Sequence, residues 1–232
     1  MLSEHSLSEQ QLIPQLGQAL KNTINRLLAR QKSVALALAG GTTPAPLYRW
    51  LSEQADIPWG HCKITLTDER WVNPQQPDSN ELLLRENLLI NHGQQAYFCP
   101  LKNAEKSARE GQQSLEMELR TNLPQLDIVL LGMGDDGHFA SVFPELENFE
   151  KLTDLQNTAL CQAVQPPHAP HERMTLTPAY LLSAQHIFIL FKGAKKIRLY
   201  EQAKHNFHHI EEIPLRLLLS QKKVPVDVYW SD

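Results

Sequence analysis

Between residues 7 and 31 the apolar side chains Leu12, Leu16, Leu20, Ile24, Leu27 and Leu28 recur at helical spacing with polar residues between them. That period predicts an amphipathic helix, with Pro14 expected in its first turn, where a missing N–H does no harm. The pattern then changes. Val34 to Ala39 is an unbroken apolar run ending in Gly40-Gly41, as a buried strand would be, and Pro44 opens a helical segment carrying Leu47, Tyr48 and Leu51. Residues 63–67 (KITLT) predict a strand that runs into a loop, Asp68-Glu69-Arg70, followed by the polar, proline-rich stretch NPQQPDSN. A helix is expected over Leu82–Leu89, capped by Asp78 or Ser79, and a solvent-facing helix over 103–121. Further strands are expected at Ile128–Gly132, 172–177 and 186–191, then a helix over 193–203 and a last strand over 226–230.

Strands alternating with helices imply crossover units, and hence an α/β fold. The expectation is an open, mostly parallel sheet flanked by helices on both faces. Neither an internal repeat nor a linker interrupts the 232 residues, so residues 1–232 are expected to form one domain.

A formal net charge of −4 argues against a general nucleic-acid binder, which usually carries a basic face. An anionic ligand would need a local positive pocket on this mildly acidic body. Cys62, Cys99 and Cys161 are far apart and form no CxxC pair, so neither a zinc site nor a disulfide framework is indicated. The first residues lack the basic-then-apolar order of a signal peptide, and no apolar run approaches the ~18 residues of a membrane helix. A cytoplasmic protein is expected, with a small-molecule substrate, no nucleic-acid or membrane partner, and the monomer favoured.

Three of the predicted strands end in loops of similar character: Gly40 to Pro44, Asp68 to Arg70, and Gly132 to His138. Parallel strands would open all three on one edge of the sheet, where α/β folds bind ligands. Gly40, Gly41 and Thr42 precede a helix N-terminus and could cradle a phosphate; alternatively Thr42 or Thr43 simply caps that helix. His138 is the candidate general base, with Asp136 fixing its tautomer; the alternative is a helix-starting core histidine. Arg70 could offset charge on an oxyanion, or pair at the surface with Asp68 or Glu69. Arg173 follows Pro166-Pro167 and could face a ligand rather than decorate an edge strand. Lys196, in the first turn of its helix, opposes the helix dipole and hints at an anionic neighbour, whereas Lys192 and Lys195 read as solvated. The cluster His205, His208 and His209 lacks a completing ligand, and no metal site is read from it.

Taken together, AGGTTP (39–44), TDERWV (67–72), PDSNELLLRENLL (77–89), LGMGDDGHFASVFP (131–144), PPHAPHERMTLT (166–177) and GAKK (193–196) resemble the 6-phosphogluconolactonases in order and spacing over nearly the whole chain. Glucosamine-6-phosphate isomerases (deaminases) share the DGH element but continue it with a segment like IAFNEP; here FASVFP follows. The resemblance implies a Rossmann-like sheet of the sugar-phosphate isomerase type. It also implies hydrolysis of 6-phospho-D-glucono-1,5-lactone to 6-phosphogluconate in the oxidative pentose phosphate pathway, with no metal or organic cofactor. Carried over by motif, His138 is the base, Asp136 its holder and Arg70 the oxyanion partner. Gly40, Gly41, Thr42, Asp68, Arg173 and Lys196 would surround the substrate. Two other readings remain open at this stage: a deaminase or isomerase of amino-sugar phosphates, and a non-catalytic sugar-phosphate sensor.

Overall fold

The computed structural model describes all residues, 1–232. Its strands are β1 (Leu2–Ser6), β2 (Val34–Leu38), β3 (Cys62–Leu66), β4 (Asp68–Arg70), β5 (Tyr97–Phe98), β6 (Ile128–Gly132), β7 (Cys161–Val164), β8 (Arg173–Leu176), β9 (His186–Lys192) and β10 (Val226–Ser231). The helices are α1 (Glu9–Leu28), α2 (Ala45–Ser52), α3 (Asn80–Asn87), α4 (Ala108–Asn122), α5 (Phe149–Thr153), α6 (Pro178–Leu181), α7 (Ala194–Ala203) and α8 (Arg216–Ser220).

Seven strands form one sheet in the order β1-β10-β9-β6-β2-β3-β5, and every pair in it is parallel. The central strands are apolar throughout because helices cover both faces: all five residues of β2 are buried, as are Ile128–Leu131 of β6. They belong to a core of 60 buried residues. From β2 the chain first builds outward through β3 to β5. It then returns to β6 on the other side of β2 and builds outward again through β9 and β10. Adjacent β2 and β6 therefore form the point where the winding reverses, and a crevice opens beyond their carboxyl ends.

A second sheet, β4-β8-β7, is antiparallel. It corrects the expectation that Asp68-Glu69-Arg70 is a loop. These residues follow β3 after the single residue Thr67, and they pair with β8 in the register Asp68↔Thr175, Glu69↔Met174, Arg70↔Arg173. Three charged residues carry no alternation to mark them as a strand; the partner strand alone makes them one.

The structure also differs from expectation elsewhere. β1, β5 and β7 were not foreseen. Helix α4 starts at Ala108 rather than 103, because the Ser107 side chain accepts from Glu110 N–H and caps it there. Pro14 lies inside α1, beyond its first turn. It sits on the exposed face, so water can satisfy the Gln10 carbonyl that loses its helical donor. No helix is long and apolar enough to cross a membrane.

Candidate active site

The crevice is a cavity of about 300 Å³ lined by the loops after β2 and β6, by β4 and β8, and by Lys196 of α7. Eight of the nine residues singled out above reach its wall: Gly40, Gly41, Thr42, Asp68, Arg70, His138, Arg173 and Lys196. The ninth, Asp136, stands behind His138.

The loop after β2 leaves little freedom. Gly41 has φ +86°, a conformation that disfavours side chains. A Cβ on Gly40 would lie 1.9 Å from Asn80 Oδ1, so only glycine lets Asn80 pack against the loop. Asn80 in turn donates to the Asp68 carbonyl at 2.8 Å, and the Tyr48 hydroxyl donates to the carbonyl of Ala39. The N-cap position of α2 is Pro44, and no side chain caps that helix. Thr42 and Thr43 therefore keep their hydroxyls uncommitted at the cavity wall, and the capping alternative falls away.

After β6 the chain turns on glycines. Gly134 N–H donates to the His138 carbonyl and Gly137 N–H to the Gly134 carbonyl, with Gly137 at φ +82°. No helix begins at His138; the next is α5. One carboxylate oxygen of Asp136 accepts from both the His138 backbone N–H (3.1 Å) and ring Nδ1 (2.6 Å). A proton on Nδ1 follows from that contact, leaving Nε2 as the lone-pair nitrogen. Burial pushes the Asp136 carboxyl upward, but the hydrogen bonds and charge of His138 outweigh it, and its pKa lies below the ordinary value.

Arg70 and Arg173 sit directly opposite each other on β4 and β8. Like charges in that position repel. Arg70 does not pair with Asp68 or Glu69; its Nη1 donates to the Asp78 carbonyl at 2.6 Å. Arg173 lies 3.6 Å from Asp68 Oδ2. The Nε groups of both arginines are buried with no hydrogen-bond partner. Burial, and then the charge of Arg70, press the Arg173 guanidinium below its ordinary pKa while Asp68 opposes them; an arginine nonetheless stays charged. Asp68 is itself engaged by Ser141 Oγ at 2.6 Å and Thr67 Oγ1 at 3.3 Å. It acts here as a buried anchor for its neighbours as well as a wall residue.

Lys196 Nζ lies 3.6 Å from Asp135 Oδ1. Lys195 is exposed, as expected, and reaches the other oxygen of Asp135 at 3.3 Å; Lys192 pairs with Glu9 at 3.0 Å. Among the histidines of the 205–209 cluster, His209 pairs with exposed Glu211, and no metal-binding group forms there. The cysteines are free and buried, and none lines the cavity. Burial raises the thiols of Cys62 and Cys99 to about 12.

Sequence reasoning missed two contributors. Asn80 lines the cavity from within the quoted PDSN segment, where its position one residue past the cap could have marked it. Glu69 accepts from Arg70 N–H, Ser79 Oγ, Asn80 N–H and Glu81 N–H, tying the start of α3 to β4. Burial outweighs these four bonds and holds its carboxyl above the ordinary pKa.

The family model described as glucosamine-6-phosphate isomerases/6-phosphogluconolactonase matches residues 7–230. The chain belongs to that family. A 6-phosphogluconolactonase of Pseudomonas putida is 32% identical over 231 residues, covering 97% of this chain and 91% of the relative. A crystal structure of a 6-phosphogluconolactonase from Shewanella baltica superposes with TM-score 0.95 at 36% identity, covering 100% of this chain and 98% of that one. A monomeric glucosamine-6-phosphate deaminase has TM-score 0.77 at 18% identity, with 97% and 96% covered; that likeness is one of fold.

Proposed function

We propose that the protein hydrolyses 6-phospho-D-glucono-1,5-lactone to 6-phospho-D-gluconate, the lactonase step of the oxidative pentose phosphate pathway, with residues 1–232 working as one catalytic domain. Near-full-length likeness to proteins named 6-phosphogluconolactonase supports the reaction. The observation that carries the mechanism is a histidine held at Nδ1 by Asp136 in a cavity whose wall also bears Arg70 and Arg173, each with a buried, unpartnered Nε. A base and unsatisfied cationic donors in one cavity suit a neutral ester that carries an anion.

In this reading His138 Nε2 takes a proton from water as the oxygen attacks lactone C1. Arg70 offsets the charge on the tetrahedral oxyanion. Collapse breaks the bond between C1 and the ring oxygen, and the departing alkoxide recovers its proton from the imidazolium. The loop Gly40-Gly41-Thr42, Arg173 and Lys196 receive the phosphate, and Asp68 keeps Arg173 in place. A base contributes ~10²–10⁴-fold and an oxyanion contact ~10²–10³-fold, ample for an activated ester. No metal or organic cofactor enters, and the substrate is a diffusible cytoplasmic sugar phosphate met by a monomer.

The test is lactone loss followed with purified protein in the presence of a chelator. Turnover is expected to persist there. His138→Ala should lower kcat by roughly 10²–10⁴-fold while KM changes little. Near-full activity in that variant would refute the base, and ammonia release from glucosamine 6-phosphate would favour the isomerase branch instead.

A further inference from the structure

The imidazole of His138 is confined on more than its Asp136 side. A Cβ on Gly134 would lie 2.1 Å from His138 Cε1 and 2.2 Å from Nδ1, so the ring rests directly against the backbone there. Phe143 stacks on it with ring centroids 3.9 Å apart and a tilt of 32°. The same phenyl ring lies 5.6 Å from the guanidinium carbon of Arg173. It is brought back toward His138 by a tight turn: Val142 N–H donates to the Phe139 carbonyl, and Ala140 takes φ +47°, an unusual conformation for a residue with a side chain. Phe139 and Val142 are buried in the core, and Ser141 is tied to Asp68 and to Thr175 Oγ1. The turn is thus held by the core and by β4 and β8.

We propose that Phe143 is a positioning residue for the base, an inference that rests on the lactonase reading above. Stacking restrains the imidazole plane without engaging either ring nitrogen, which a polar residue could not do as safely. Nδ1 stays with Asp136 and Nε2 stays available for water. Once the water proton arrives, the ring becomes a cation, and the π face of Phe143 attracts cations. Phe143 therefore favours the imidazolium that forms during the reaction.

The experiment compares wild type with Phe143→Leu and with Phe143→Met, two apolar side chains without a ring, and with Phe143→Tyr, which restores one. Loss of the ring should lower kcat roughly 10- to 100-fold through misorientation of the base, with KM nearly unchanged, and Phe143→Tyr should recover most of the rate. In a His138→Ala background the same substitutions should cost nothing further, since their effect passes through the missing imidazole. Imidazole ¹⁵N shifts of His138 should show a single Nδ1-protonated tautomer in wild type and a mixture without the ring. If Phe143→Leu lowers the melting temperature, Phe143→Met carries the comparison. Unchanged kcat, or equal losses with and without His138, would overturn the proposal. A wild-type protein that turns over no lactone would refute the functional reading, while the ¹⁵N shifts would still decide whether Phe143 orients the ring.

Discussion

Asp135 and Asp136 are neighbours in the chain yet face different partners. Asp135 lies between Lys195 and Lys196, while Asp136 holds the imidazole of His138. The second contact is local: two residues of separation across Gly137 let one oxygen reach both the backbone N–H and Nδ1 of His138, so this pairing was legible from spacing. Its stability effect has a definite sign. The folded-state pKa of Asp136 lies below the ordinary 3.8, so the contact stabilises the fold above the unfolded value and is lost as pH falls through the lowered one. Asp136→Asn should therefore melt below wild type near neutral pH, and the gap should close in melts taken below about pH 4. A gap that persists or widens in acid would contradict this assignment. By contrast, the choice for Thr42 between helix cap and ligand contact could not be made from sequence, because both need the same residue before a helix. Phe143 was also illegible: its value comes from a turn that folds it onto a ring five positions earlier.

The three-residue strand β4 shows how an element can depend wholly on its surroundings. Strands β2, β6 and β9 announce themselves because a parallel strand covered on both faces must be continuously apolar. β4 is Asp-Glu-Arg, and β1 alternates polar residues at the sheet edge; each is a strand because a distant segment, β8 or β10, supplies its ladder. What joins β4 to α3 is the Glu69 carboxylate, which accepts the Asn80 and Glu81 N–H groups at the helix start. Buried donors left without acceptors are expensive. Glu69→Ala should cost about 2–4 kcal/mol, a fall of roughly 5–15 °C in melting temperature for a chain this size. Calorimetry checks this, and a shift of only a degree or so would show that water or a rearranged α3 start replaces the carboxylate. Because Asn80 and Arg70 ride on the same elements, KM should rise in the variant as well.

Over the whole molecule a net charge of −4 coexists with a cavity that gathers Arg70, Arg173 and Lys196. Such a local field attracts an anionic substrate against the overall charge, and salt screens it over about 10 Å at 0.1 M and about 3 Å at 1 M. KM for the lactone should accordingly rise several-fold between ~0.02 M and ~0.5 M salt, with kcat nearly constant; steady-state kinetics across that range would reveal it, and a flat KM would mean the cations do not grip the substrate. The chain alone determined the α/β class, the buried central strands, the glycine turns and the His138–Asp136 pair, because period, backbone freedom and two-residue reach are local properties. Only the tertiary structure decided that β4 is a strand, that Arg70 faces Arg173, that Lys196 reaches the cavity and that Phe143 packs on His138. Those facts arise from register between segments far apart in the chain, and from a winding reversal at β2 and β6, neither of which any short window of residues encodes.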